Sequence, residues 1–294
     1  MASAPAAASL LRLTSRDRLL VTLLAELRYL TVHQVRQACF PTLSSRAASQ
    51  RLSLLRGRGV LDCLRHRTFD DRRAFWGLGA LGRAAAAALS DGTPLRPSSV
   101  AVGALLMDHL VATNQIFCDL CGAWRAGGLA PFSWVGSHHA RVDLGLTHVV
   151  PDAMIIVPGR RGERWLYCLE RDRGTMSADA LAGKFARYRL MHERAREHRG
   201  DPLWDARADS CLMVACDDEP RAVRAAGLAA AAGLDRVWAG LAQDCAASLA
   251  AAVECPGGPE GGDRAFSVRL SGVLGGVLYP PEPLGTGAGA GDPS

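Results

Sequence analysis

The stretch WLYCLERDRGT, residues 165–175, decides how the chain is read. An apolar run from Trp165 to Leu169 ends in Glu170-Arg171-Asp172-Arg173 and then Gly174. A short apolar run bounded in this way reads as a buried strand that stops at the charges. Four consecutive charges are ordinarily a solvated, salt-bridged turn, in which exposed pairs contribute about 0–1 kcal/mol. Glu170 also falls 18 residues after Asp152, which stands at the entry to a second apolar run, AMIIV. Glu170 and Asp172, two apart, share one side of an extended chain. The charge run is therefore either a strand end or the acidic centre of a metal-dependent site.

The flanking sequence supplies a sheet with helices on it. A long helical pattern, AVGALLMDHLVATNQIFCDLCGAWRAG, precedes the β-like runs FSWVGS, ARVDLGL, AMIIV and RWLYCLE. ADALAGKFARYRLMHERAREH then reads as a helix, SCLMVAC as a strand buried on both faces, EPRAVRAAGLAAAAG as a helix and DRVWAGL as a last strand. The order α-β-β-β-β-α-β-α-β predicts a mixed sheet. Lys184 and Tyr188 lie four apart on one face of the helix after the charge run. Lys184 is the only lysine in 294 residues, where arginine otherwise supplies the positive charge. The long helix offers His109, Asn114 and Asp119, which do not share a face.

The front of the chain differs in charge. Residues 1–100 hold 15 Arg against 6 Asp and Glu, or +9, so the remainder carries −4 of the net +5. A basic front half predicts a polyanionic partner. From Ser15, SRDRLLVTLLAELRYL is an amphipathic helix with Thr14 or Ser15 as cap. LTVHQVRQACF is a second helix capped by Thr31, and SSRAASQRLSLLRG a third, with Leu52 and Leu55 facing the core. VLDCLRHR and RRAFWGL, joined by TFDD, predict a hairpin, and GRAAAAAL a closing helix. Three helices and a hairpin make a winged helix-turn-helix, in which the second helix of the turn-linked pair, here the third of the segment, enters the DNA major groove. That helix, 44–56, presents Ser45, Arg46, Ser49, Gln50, Ser53 and Arg56, with Arg51 nearby. Arg suits guanine edges, Gln adenine and Ser phosphate. Arg65, His66, Arg67, Arg72 and Arg73 of the hairpin are placed to reach flanking phosphates.

The expected fold class is α+β. Residues 1–13 are a disordered start, 14–90 the winged helix, 91–100 a linker, 101–255 the mixed-sheet α/β domain and 256–294 a Gly/Pro-rich tail. No apolar run is long enough to cross a bilayer, and the start lacks a signal-peptide pattern. Nine scattered cysteines do not make a secreted disulfide framework, so reduced thiols in a cytoplasm are expected. Cys118 and Cys121 in CDLC lack the second pair that a zinc site needs. His138 and His139 fall in a turn and read as solvated, because adjacent side chains on a strand point to opposite faces.

The segments LTSRDRLLVTLLAELRYLTVHQVRQACF, SSRAASQRLSLLRGRGVLD, WGLGALGR, HLVATNQIFCDL, PDAMIIV, LYCLERDRGT, KFARY and CLMVACDDEPRAVRAAG together resemble the replication-relaxation proteins, in matching order from about residue 14 to residue 245. The resemblance implies a DNA-binding protein of a plasmid or integrating element, acting in its replication or in relaxation of DNA at transfer. The implied partners are double-stranded DNA, replication or transfer proteins of the element and a second copy of the chain. The second half also resembles the PD-(D/E)xK nuclease core of restriction-endonuclease-like folds. In that resemblance Asp152 is the first acid and Glu170 the second, together the ligands for Mg²⁺. Asp172 stands where the core has lysine. Two accounts stay open: Lys184, with Tyr188, supplies the missing cation from the next helix, or the domain keeps the fold and has lost cleavage. A Mg²⁺-dependent endonuclease and a winged-helix transcription regulator are the alternatives to a binding module.

Overall fold

The computed structural model describes residues 13–65, 73–89, 103–158, 164–198 and 210–254. The chain is α+β, with three sheets among the described residues. The first segment comprises α1 (Ser15–Leu27), β1 (Leu30–Thr31), α2 (Val32–Cys39), α3 (Ser45–Gly57), β2 (Leu61–Arg65), β3 (Ala74–Leu78) and α4 (Ala80–Leu89). Local chemistry sets the helix starts. Thr14 and Asp17 form a reciprocal capping box on α1, and Thr31 and Gln34 form another on α2. Ser44 caps α3 by accepting the Ala47 N–H. The hairpin pairs Leu61 with Leu78 and Arg65 with Ala74. Its tip, with His66, Arg67 and Arg72, lies outside the described residues, as do the predicted linker and tail and nearly all of the predicted disordered start.

β1 was not legible as a strand. It adds Leu30 and Thr31 antiparallel to Trp76 and Phe75, giving the order β1-β3-β2. Two residues carry no periodicity, so only the tertiary pairing defines it.

The second segment comprises α5 (Ala104–Arg125), β4 (Ser133–Gly136), β5 (Val142–Asp143), β6 (His148–Val149), β7 (Ala153–Pro158), β8 (Arg164–Asp172), α6 (Ala178–Glu197), β9 (Cys211–Cys216), α7 (Glu219–Ala231), β10 (Val237–Leu241), a 3₁₀ turn and α8 (Cys245–Glu254). The main sheet has the order β10-β9-β8-β7-β4. β8, β9 and β10 run parallel, with α6 and α7 as the crossovers, while β7 and β4 are antiparallel additions. The run ARVDLGL departs from expectation. Only Val142 and Asp143 are strand, and they pair with His148 and Val149 in a separate small ribbon.

Both faces of the sheet are buried, and alternation along each strand sorts the side chains. Ile155, Val157, Tyr167, Leu169, Met213 and Ala215 enter one core; Met154, Ile156, Cys168, Leu212 and Val214 enter the other, beneath α6 and α7. The first core continues through α5 into α1, α2 and α3, so the two segments share it. Polar bonds reinforce the seam. Asn114 donates to the carbonyls of Leu27 and Tyr29, both at 2.8 Å, and Gln34 donates to the Val111 carbonyl at 2.7 Å. Among the described residues no helix is long and apolar enough to cross a membrane.

One charged contact joins α1 to α3. Asp17 is fully buried, and the Arg51 guanidinium pairs with it through Nε at 2.8 Å and through an N–H of its other arm. Burial alone would raise the Asp17 pKa, but the Arg51 and Thr14 hydrogen bonds outweigh it and hold the carboxyl below its ordinary value. A depressed folded pKa gives stability that is present above the unfolded value and lost as the pH falls through the folded one. Asp17→Asn is therefore expected to destabilise the chain at pH 7, with the gap from wild type closing below about pH 4. Urea unfolding at several pH values measures this, and a pH-independent gap would contradict it.

Candidate functional site

The site forms where β7 begins and β8 ends. Asp152 immediately precedes β7, and its own N–H donates to the Leu169 carbonyl at 2.9 Å, which fixes it beside the last turn of the β8 ladder. β8 runs on through the charge run to Asp172. Glu170 is 1% exposed, Arg171 7% and Asp172 2%, so this is no solvated turn. Charges this deep require partners, since a lone buried ion costs several kcal/mol.

Strand alternation divides the partners. Glu170 points under α6, where Lys184 donates to Oε2 and Tyr188 to Oε1. The i, i+4 spacing of those two residues stacks them over one carboxylate. α6 is held in register by its Ser177 cap, which accepts the Ala180 N–H. Asp152 accepts the Arg171 N–H on Oδ2 at 2.8 Å, and His109 of α5 lies 3.0 Å from Oδ1. The structure therefore brings Asp152, Glu170, Lys184 and Tyr188 together and adds His109.

Asp172 is placed differently. It lies on the Glu170 side of the strand, but its Oδ1 accepts the Gly174 N–H at 2.8 Å and its Oδ2 faces Arg224 of α7 at 3.6 Å. It anchors the turn that leaves β8. That turn favours glycine, because Gly174 has φ +70°.

Arg171 faces the opposite way and carries a role that the sequence hid. Its guanidinium donates to the Ala215 carbonyl at 2.9 Å and pairs with Asp217, tying β8 to the end of β9. Arg173 pairs with Asp108 of α5. The remaining residues of the long helix go elsewhere. Asn114 serves the seam with α1, and Asp119 accepts from Gln37 and Gln115, both at 2.9 Å. Cys118 and Cys121 are fully buried in the core, where burial pushes the Cys121 thiol up to about 12.

Electrostatics follow from this geometry. Burial raises the Glu170 carboxyl to about 7, helped by the neighbouring charge of Asp152 and opposed by Lys184 and Tyr188. Lys184 moves the other way from a simple buried amine. Burial lowers it, but Glu170 and Asp152 together raise it, so it stays charged. Burial would raise Asp152 as well, but His109 and Lys184 hold it below its ordinary value. Two carboxylates that repel each other beside one ammonium are a donor set that a hard divalent cation would relieve. Asp152 and Glu170 would be its ligands, in competition with His109 and Lys184 for the oxygens.

Most of the described DNA-contact candidates of the first segment are exposed. Arg46, Gln50 and Arg56 are exposed on α3, Ser49 is half-buried, and Arg65 and Arg73 are exposed at the end of the hairpin next to its connecting turn. Arg51 stands apart, because Asp17 holds its guanidinium against α1. It buttresses the α1–α3 pair.

The chain belongs to the replication-relaxation family, whose model matches residues 21–202. The match begins inside α1 and spans α3, the Asp152–Glu170 centre and α6. No curated protein and no solved structure matches the chain.

The raised carboxyl gives a measurable pH dependence. A folded pKa above the unfolded value contributes stability that is complete below the unfolded pKa and is lost as the pH rises through the folded one. The stability of wild type relative to Glu170→Gln is therefore expected to decline from about pH 4.5 to about pH 7. Tyr188→Phe removes a bond that favours the carboxylate and should push the Glu170 titration higher, at a cost of about 1–3 kcal/mol. Carboxyl ¹³C titration and urea unfolding read both. An unshifted Glu170 titration in Tyr188→Phe would contradict the assignment.

Proposed function

We propose that the chain is a DNA-binding protein of a plasmid or integrating element that acts in replication or relaxation of the element's DNA. One observation carries the reading. From Leu27 to Leu61 the sequence holds six Arg and no Asp or Glu, and α3 turns Arg46, Gln50 and Arg56 outward from the middle of that stretch. The three helices and the β1-β3-β2 sheet, with β1 between the first two helices, are read as the parts of a winged helix-turn-helix, with α3 as the recognition helix and the β2–β3 hairpin as the wing. Arginines supply phosphate neutralisation, and Gln50 and Ser49 supply polar atoms for base edges or backbone. The family membership supports the same role.

The second segment is proposed to be of restriction-endonuclease-like form. Its support is a mixed sheet in which Asp152 enters β7 beside Glu170 near the end of β8, with Lys184 and Tyr188 brought over Glu170 from the next helix. This favours a second reading, a metal-dependent endonuclease. Asp152 and Glu170 would hold Mg²⁺, which supplies water activation and charge neutralisation at a phosphodiester. The Lys184 ammonium would stand where developing negative charge is balanced. Lys184 reaches the centre from α6 in place of the strand position occupied by Asp172, so cleavage is the secondary proposal and binding the primary one.

The full chain should retain duplex DNA with a steep salt dependence. Arg46→Ala with Arg56→Ala should flatten the slope of log K against log salt by about 1.8, roughly one counterion per contact. An unchanged slope would move the DNA surface elsewhere. Nicking of supercoiled plasmid in Mg²⁺ or Mn²⁺ that is lost in Glu170→Gln, with retention intact, selects the endonuclease. No cleavage with either metal leaves the binding protein.

A further inference from the structure

A second cluster lies at the same end of the sheet and shares no residue with the acidic centre. Glu26 stands on the buried side of α1, 5% exposed, among leucines. A carboxylate there needs strong partners. Oε1 accepts the Gly136 N–H at the end of β4, at 2.6 Å. Oε2 lies 3.2 Å from Nδ1 of His139 and 3.7 Å from Nε2 of His138. The two imidazoles occupy the turn after β4, with ring centroids 4.1 Å apart. A turn does not alternate its side chains as a strand does, so both rings converge on one oxygen. This corrects the reading of His138 and His139 as solvated. Their side chains are only 17% and 13% exposed.

We propose that Glu26, His138 and His139 bind a zinc-like divalent transition-metal ion that ties α1 to the turn after β4. The ligand atoms lie within 4.8 Å of one another. Tetrahedral ligands at zinc distances stand roughly 3.3–3.5 Å apart, so small side-chain rotations close the site. A hydrogen-bonded pair needs only one imidazole. Here two rings are packed together against a single carboxylate oxygen, an arrangement that a shared cation stabilises. Two nitrogens and one carboxylate suit Zn²⁺ and its neighbours, whereas Mg²⁺ takes oxygen ligands. Three protein ligands leave a fourth position for water. Gly136 makes the approach possible, because a Cβ there would lie 3.1 Å from both Glu26 Oε1 and His138 Cε1.

The ion binds as M²⁺ to the Glu26 carboxylate and two neutral imidazoles, and any proton on the ligating nitrogens is released to solvent. Glu26 belongs to the first segment and the histidines to the second. The site is therefore a clasp across the seam between them. Gly136 pairs with Ala153, the neighbour of Asp152, so the clasp also steadies the strand that leads out of the acidic centre.

The test uses the untagged full chain, stripped with a chelator and titrated with Zn²⁺ by calorimetry and with Co²⁺ by absorption spectroscopy. One equivalent is expected to bind, uncontested by millimolar Mg²⁺, with a Co²⁺ spectrum of nitrogen and oxygen ligands and no thiolate charge-transfer band. The melting temperature should rise with free Zn²⁺. His138→Ala and His139→Ala should each weaken binding by more than about 100-fold, while Arg189→Ala, on the exposed face of α6, binds as wild type. His138→Gln keeps a polar side chain against Glu26 and removes the ligand without emptying the site, and it should lose binding with its melting temperature in chelator unchanged. Absence of stoichiometric binding, a thiolate band, or affinity that survives the histidine variants would overturn the proposal.

Discussion

The buried Glu170 carboxylate is the constraint around which the second segment is arranged. It sits at the end of the central strand, under a helix, with almost no access to water. Such a group is tolerated only when its oxygens are bonded and its charge is balanced. The β8–α6–β9 crossover meets both needs. It lays α6 across the strand end so that an ammonium and a phenol, one turn apart, meet the two oxygens. Replacing Lys184 by arginine would not be neutral, because a planar fork presents its donors differently from a compact ammonium. That gives a physical reason for one lysine in a chain that otherwise uses arginine.

The same end of the sheet gathers the other charged contacts. Asp152 is oriented by the β8 backbone and by His109. Arg171 ties β8 to β9, and Arg173 ties the strand exit to α5. α5 touches both segments and therefore couples them. Its inner face supplies Asn114 to the end of α1, and its charged edge supplies Asp108 and His109 to the site. The proposed clasp at Glu26 would join the segments from the other side of the seam.

The sequence carried the helices of the first segment well, because their caps and leucine spacing are local. Thr14, Thr31 and Ser44 each start a helix by bonding a residue three positions on. The apolar runs from Met154 to Val157 and from Trp165 to Leu169 were equally plain. Asp152, Glu170, Lys184 and Tyr188 were legible as a set because strand ends and i, i+4 spacing place them. What escaped was non-local. β1 is two residues long and is defined by its partner. The loop between β4 and β7 folds on itself as a ribbon, which no periodicity marks. Arg171 looked like one member of a solvated charge run, and only the β9 backbone reveals its purpose. Glu26 left a trace as a lone acid beside Leu23 and Leu27, but its partners lie more than a hundred residues away. Arg51 sits next to the exposed helix face in sequence and belongs structurally to Asp17.

In the proposed function, α3 of this replication-relaxation protein meets DNA while the acidic centre is held by its own partners. Site-specific photocrosslinking of the full chain on duplex DNA tests it most directly, with the crosslinker placed in turn at positions 46, 50 and 56 and at position 109. The account predicts crosslinks to DNA from the three α3 positions that fade together as salt is raised. Crosslinks from position 109 alone, with none from α3, would contradict it.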